Sequence, residues 1–269
     1  MSALWESESF RRVAGDVWRP GGTALTLRGL ELCRKLCGLM PNSLVPNSLV
    51  LDLGCGCGAT LGLLRQAGYR VMGLDRQVQP GAVSEAGEDG GQIIRADVAR
   101  LPLAAGSVDG LVCECVLSLL TDPQDVLRQC LRVLRPGGVL LFSDLTRRDA
   151  QGSAMPEPAR GSGQNSATCG GMQPDGIALN FSATQGTGAS CMEGARPAAL
   201  WEQYLRQAGF QIATYEDHSR ALVELAARMV WYGETGAGGQ GLAGGCSCSA
   251  SGGGRKYGYG LWIAQKERT

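Results

Sequence analysis

The sequence predicts an α/β fold, a mostly parallel sheet with helices on both faces and an antiparallel appendix. Three observations point there. Residues 49–145 alternate short apolar runs with amphipathic stretches. The turns between them are short and marked by glycine or proline. Near the end, two strand-like runs, 211–215 and 258–265, are joined through a helix and a loop.

Taken in order, Thr23–Cys37 reads as a helix with Leu25, Leu32 and Leu36 among its apolar positions. Leu49–Leu53 is an apolar run closing on a glycine cluster, so a buried strand. Ala59–Gln66 follows as a helix, with Leu61, Leu63 and Leu64 apolar and Gly68 as its stop. Arg70–Asp75, Gln92–Arg95 and Val108–Cys113 read as the next three strands. Asp122 and Pro123 open an amphipathic helix to Leu134, whose apolar face is Val126, Leu127, Leu131 and Leu134. Pro136-Gly137-Gly138 turns the chain into a fifth strand, Val139–Ser143. A helix over Ala198–Ala208 stops at Gly209, strand Gln211–Tyr215 follows, and Ser219–Trp231 is helical. Gly258–Gln265 is the last strand.

Composition divides the rest. Glycine accounts for 41 of 269 residues and is concentrated late, with 12 between 233 and 260. Residues 149–197 are rich in Gly, Ser, Ala, Gln and Asn and poor in large apolar side chains. The expected organisation is an N-terminal helical arm (1–48), a core (49–147), a flexible insertion or lid (148–197) and a C-terminal part of the same domain (198–269). The last part carries a Gly-rich loop over 233–256. Lys+Arg and Asp+Glu balance at 25 each, which argues against a nucleic-acid binder working through a basic face. Residues 1–10 carry Glu6 and Glu8 and no apolar core, and no run reaches the ~18 apolar residues of a membrane span. A cytoplasmic protein without membrane partners is expected, its eleven cysteines reduced. None of the pairs Cys33/Cys37, Cys55/Cys57, Cys113/Cys115 or Cys246/Cys248 has the spacing of a strong zinc site. The sequence does not specify oligomeric state.

The chemistry sits at the strand ends. Asp52-Leu-Gly54-Cys55-Gly56-Cys57-Gly58 closes the first strand and opens a helix. Its glycines let backbone approach a ligand, and the helix N-terminus supplies free N–H groups. Asp75, beside Arg76, ends the second strand 19 residues after Gly56, where a carboxylate can accept ribose hydroxyls. Asp97 follows the third strand, where it can accept from an adenine amino group. Strand ends on one sheet edge converge on one crevice, so the three features would share a nucleoside ligand.

These residues, with Leu101-Pro102 and Leu131-Arg-Val-Leu-Arg-Pro-Gly-Gly138, resemble the class I S-adenosylmethionine (SAM)-dependent methyltransferases. The resemblance covers residues 15–147 well and the chain from 191 onward loosely. It implies a Rossmann-like seven-stranded sheet with the last strand antiparallel. It also implies SAM as cofactor: Asp52, Gly54, Cys55, Gly56 and Gly58 around the methionine part, Asp75 on the ribose, Asp97 on the adenine, and Val98 packed on that ring or donating its N–H.

On the acceptor side, Cys113-Glu114-Cys115-Val-Leu-Ser-Leu119, Asp122 and Phe142-Ser-Asp144 look most like arsenite methyltransferases. In that family a cysteine of this segment binds trivalent arsenic, and a second lies in a stretch matched here by Ser190-Cys191-Met-Glu-Gly-Ala195. The resemblance therefore implies Cys115 and Cys191 as thiolate donors to a metalloid, a suitable match of soft ligand to soft ion. Two departures stand against it. Glu114 replaces the family's asparagine, and Trp18-Arg-Pro-Gly-Gly22 lacks its N-terminal cysteine. For an oxygen or nitrogen acceptor, Glu114 is the candidate base and Asp144 a substrate anchor; holding the SAM ammonium is the equal alternative for Glu114. His218 reads as an exposed first-turn residue beside the cap Asp217. The expected activity is methyl transfer to a small-molecule acceptor, with a thiol-bound metalloid as the alternative. An NAD-dependent oxidoreductase or a non-catalytic SAM- or thiol-metal-binding module would use the same crevice.

Overall fold

The computed structural model describes residues 17, 19–39, 48–77, 92–148, 191–232 and 256–268. Residues 149–190 of the expected insertion (148–197), most of the Gly-rich loop, and Cys246 and Cys248 lie outside these residues. The element order is α1 (Gly22–Leu32), β1 (Leu49–Leu53), α2 (Ala59–Gln66), β2 (Arg70–Asp75), β3 (Gln92–Arg95), β4 (Val108–Glu114), α3 (Pro123–Val133), β5 (Leu134–Arg147), α4 (Ala198–Ala208), β6 (Phe210–Asp217), α5 (Ser219–Tyr232) and β7 (Tyr257–Lys266).

The strands form one seven-stranded sheet in the order β3-β2-β1-β4-β5-β7-β6. Strands β1 to β5 pair in parallel, and β7 runs antiparallel to both β5 and β6. Chain order reverses between β1 and β4, which makes the carboxyl ends of those strands the crevice of the fold.

Side-chain alternation along each strand splits the interior into two cores. Leu49, Leu51, Leu53, Leu111 and Phe142 face α3 and α4, packing with Val126, Leu127 and Trp201. Val50, Val112, Leu141 and Ile263 face the other way, onto Leu25 and Leu30 of α1 and Leu61 and Leu64 of α2. The α3 start follows from its sequence: the Asp122 side chain accepts from the Asp125 N–H at 3.0 Å, with Pro123 in the first turn.

Two elements differ from expectation. The first helix ends at Leu32, and Cys33–Cys37 forms a π-helical turn closed by Gly38 at φ 74°. The strand expected at Val139–Ser143 runs from Leu134 to Arg147. Arg135-Pro-Gly-Gly138 is a bulge inside it, since Val108 pairs with Leu134 and Gly110 with Val139. Among the described residues, no helix is long and apolar enough to cross a membrane.

Candidate active site

The glycine loop leaves β1 at the crevice. Gly54, Gly56 and Gly58 have φ of 71°, 53° and 92°, a region that favours residues without Cβ. A Cβ on Gly54 would lie 2.6 Å from Val116 Cγ2, whereas one on Gly56 would meet nothing within 4 Å. The free space therefore lies beside Gly56. The N–H groups of Gly54 and Cys55 donate to the Leu74 carbonyl, which ties the loop to the end of β2. Asp75 holds the same loop: its carboxylate accepts the Gly56 N–H at 2.9 Å and the Gln77 N–H at 2.7 Å. Arg76 is exposed at the strand end, and its carbonyl accepts from Arg95 Nε. Asp97 caps the short turn Val98–Arg100, accepting the Ala99 N–H at 2.9 Å, and Val98 is buried in the core.

Behind the loop lies a buried carboxyl group. Asp52 is 4% exposed and its Oδ2 has no hydrogen-bond partner. Burial, then the Glu114 carboxylate, push the Asp52 carboxyl up to about 8, against the pull of Arg19. Glu114 ends β4 and accepts from Thr26 Oγ1 at 3.1–3.2 Å. It also pairs with Arg19 Nη2 at 2.6 Å. Arg19 donates to Thr26 Oγ1 as well, and its Nε is buried without a partner. Burial raises the Glu114 carboxyl, and Arg19 opposes the rise.

The next residue, Cys115, is the one non-glycine at positive φ (58°) among the described residues. Its N–H donates to the Ser143 carbonyl at 2.8 Å. Its sulfur accepts from the Tyr259 hydroxyl at 3.4 Å. Asp144 is fully buried and accepts the N–H groups of Ser118 at 3.0 Å and Leu145 at 2.7 Å, so it fixes the loop after β4.

Cys191 belongs to a turn that rests on this loop. A side chain on Gly194 would run into the Ser118 carbonyl oxygen. Ala195 is buried, and Thr146 bridges to Arg196. Cys115 and Cys191, far apart in sequence and both half-buried, pack against the same buried cluster. Burial, then Asp144, then Cys191 push the Cys115 thiol up. Among the described residues, no group of three or more His, Cys, Asp or Glu is placed to hold a metal ion.

The sequence reading missed Arg19, Thr26, Ser143 and Tyr259. Only Thr26 carries a local signal, a lone polar side chain among the buried Leu25, Gly29 and Leu30 of α1. His218 is half-buried rather than exposed, its Nε2 lying 3.0 Å from Glu216 Oε2. It stands beside Asp217, which accepts the Ser219 N–H at the start of α5.

Burial pushes the Asp144 carboxyl up to about 6, so its proton leaves the unfolded chain at lower pH than the native one. The unfolded state binds fewer protons across that interval, and stability falls as pH rises from about 4 to about 6. In urea unfolding, the stability of wild type relative to Asp144→Asn should fall across that window and stay level above it. A level difference throughout would contradict the assignment.

Residues 51–142 match the family model described as a methyltransferase domain. An arsenite methyltransferase of Aquipseudomonas alcaligenes is 38% identical over 126 residues, covering 40% of this chain and 36% of that protein. A ubiquinone biosynthesis O-methyltransferase of Ralstonia nicotianae is 30% identical over 147 residues, covering 53% and 61%. The chain thus spans less than two thirds of either relative. Among solved structures, phosphoethanolamine N-methyltransferase 2 of Haemonchus contortus with SAM aligns at TM-score 0.64 and 15% identity, over 96% of this chain and 56% of that one. The cyclase SpnF aligns at 0.61 and 21%, over 99% and 87%.

Residues 51–142 thus resemble a methyltransferase domain, set in a seven-stranded sheet whose fold is that of the solved methyltransferase. The fold alone does not fix the reaction, since it is shared with a protein named as a cyclase.

Proposed function

We propose that this chain transfers the methyl group of SAM to trivalent arsenic held as a small-molecule substrate by Cys115 and Cys191. The observation that carries the proposal is the packing of the Cys191–Gly194 turn on Ser118 in the loop after β4, with Cys115 and Cys191 against the same buried cluster. Similarity to an arsenite methyltransferase supports it.

The cofactor fits the residues present. Open space beside Gly56, three glycines at positive φ and the orphaned Asp52 Oδ2 make a cradle with unmet polar capacity. The backbone of Gly54–Gly58 would hold the methionine part. Asp75 accepts two N–H groups and keeps lone pairs for the ribose hydroxyls. Asp97 and Val98 would meet the adenine. When bound, SAM supplies a methyl group already activated by the sulfonium charge.

The protein's own work is placement of the acceptor. Cys115 and Cys191 would bind the soft centre, whose lone pair would form the As–C bond as the methyl C–S bond breaks and S-adenosylhomocysteine leaves, so no general base is needed. Asp144 holds the backbone between them in register. Glu114, committed to Arg19 and Thr26, acts as a structural anion beneath the site.

Turnover of labelled SAM against arsenite, small thiols, phenols and amines tests the reading. Methylated arsenic is the expected product; methylation of a phenol or amine in preference to arsenite would overturn the acceptor. Asp75→Ala should weaken SAM binding about 10–100-fold through loss of charge-assisted hydrogen bonds. Calorimetric titration with S-adenosylhomocysteine measures it, and unchanged affinity would remove Asp75 from the cofactor site.

A further inference from the structure

We infer that Tyr259 is a positioning residue that fixes the Cys115 sulfur as a soft donor, with Ser143 as its anchor. The inference deepens the proposed function and rests on it for the identity of the substrate. Tyr259 lies on β7, fully buried among Leu261, Ile263 and Leu141. Its hydroxyl is a polar atom inside an apolar core, and such a group is kept when it has a partner. It has two: Ser143 Oγ at 3.0 Å and Cys115 Sγ at 3.4 Å.

Ser143 is itself fully buried and holds Cys115 at both ends. Its carbonyl accepts the Cys115 N–H at 2.8 Å, and its hydroxyl meets the tyrosine that donates to the cysteine sulfur. Between these two ties the Cys115 backbone stands at φ 58°, a conformation a non-glycine residue keeps only when its surroundings impose it. The ring's place in the sheet is also determined. Side chains on Gly258 or Gly260 would collide with Ser219 and Thr146, or with Trp262 and Tyr215, so Tyr259 stands between two positions where only glycine fits.

A donor fixed before its ligand arrives loses less freedom on binding. The groups facing Cys115 are Asp144 from β5, Cys191 from the following turn, Arg19 from the arm and Tyr259 itself. Phenylalanine would fill the same space without the donor.

The test uses the full chain. The rate of Cys115 alkylation by iodoacetamide is followed by peptide mass spectrometry in wild type, Tyr259→Phe and Ser143→Ala. Phenylarsine oxide binding that is sensitive to Cys191→Ser is measured beside it, with SAM affinity as the control on folding. Tyr259→Phe should slow Cys115 alkylation about tenfold and weaken the arsenical about tenfold at unchanged SAM affinity. Ser143→Ala keeps the tyrosine but frees its hydroxyl, and should move both in the same direction by less. It decides the matter if Tyr259→Phe does not fold. Wild-type alkylation rates in the variants that fold would overturn the inference. A Tyr259-dependent Cys115 rate in a protein that takes up no arsenical would uphold the positioning role and end the metalloid reading.

Discussion

Serine at Cys115 or at Cys191 is expected to lower arsenite methylation by more than about 100-fold, because even partners behind a ligand cost about 10–100-fold when removed and these are the ligands themselves. Serine keeps the size of the side chain and removes the soft donor. The effect should be equal at the two positions, and the double variant should fall no further, since one thiol alone does not hold the ion. SAM affinity should be unchanged in all three, because neither cysteine belongs to the glycine loop or touches Asp75. Initial rates with arsenite, beside calorimetric titration with S-adenosylhomocysteine, measure both quantities. Arsenite methylation that survives both substitutions would sink the metalloid acceptor. Loss at Cys115 alone would leave Cys191 a packing residue of the turn that rests on Ser118.

How much of this was legible in the sequence depends on the distance over which each feature is made. The glycine loop, Asp75 and the Asp122 cap are local patterns, where backbone geometry selects residue types within a few positions. The parallel order of β1 to β5 follows from the alternation of strand and helix. The long β5 was not legible, because Arg-Pro-Gly-Gly reads as a turn and only pairing with Val108 makes Leu134 part of the strand. Nor was the polar cluster beneath the site. Thr26 and Glu114 are 88 positions apart, and Tyr259 is 144 from Cys115. No periodicity or spacing links residues brought together only when the sheet closes. Glu114 shows the consequence. Its position after a strand suggested a base or an ammonium partner, and its surroundings show an anion already held by Arg19 and Thr26.

That arrangement sets the second large effect. Glu114→Gln removes the negative partner of Arg19 and leaves a guanidinium about nine-tenths buried, beside an Nε that already has no acceptor. Breaking a buried ion pair from one side costs about 3–5 kcal/mol, most of it the uncompensated charge that remains. Urea unfolding should show a loss of that size in the single variant. Replacing both members, Arg19→Met with Glu114→Gln, should recover the larger part, because two apolar or neutral groups of similar volume fill the space without stranding a charge. The same pair of variants separates the roles left open by the sequence. A general base would lose about 10²–10⁴-fold in rate on conversion to glutamine. That loss would persist in the double variant, since the proton acceptor is absent from both. A structural anion predicts the opposite: methylation follows the folded fraction, falling in the single variant and returning with stability in the double. Activity that stays lost while stability returns would make Glu114 a participant in the chemistry.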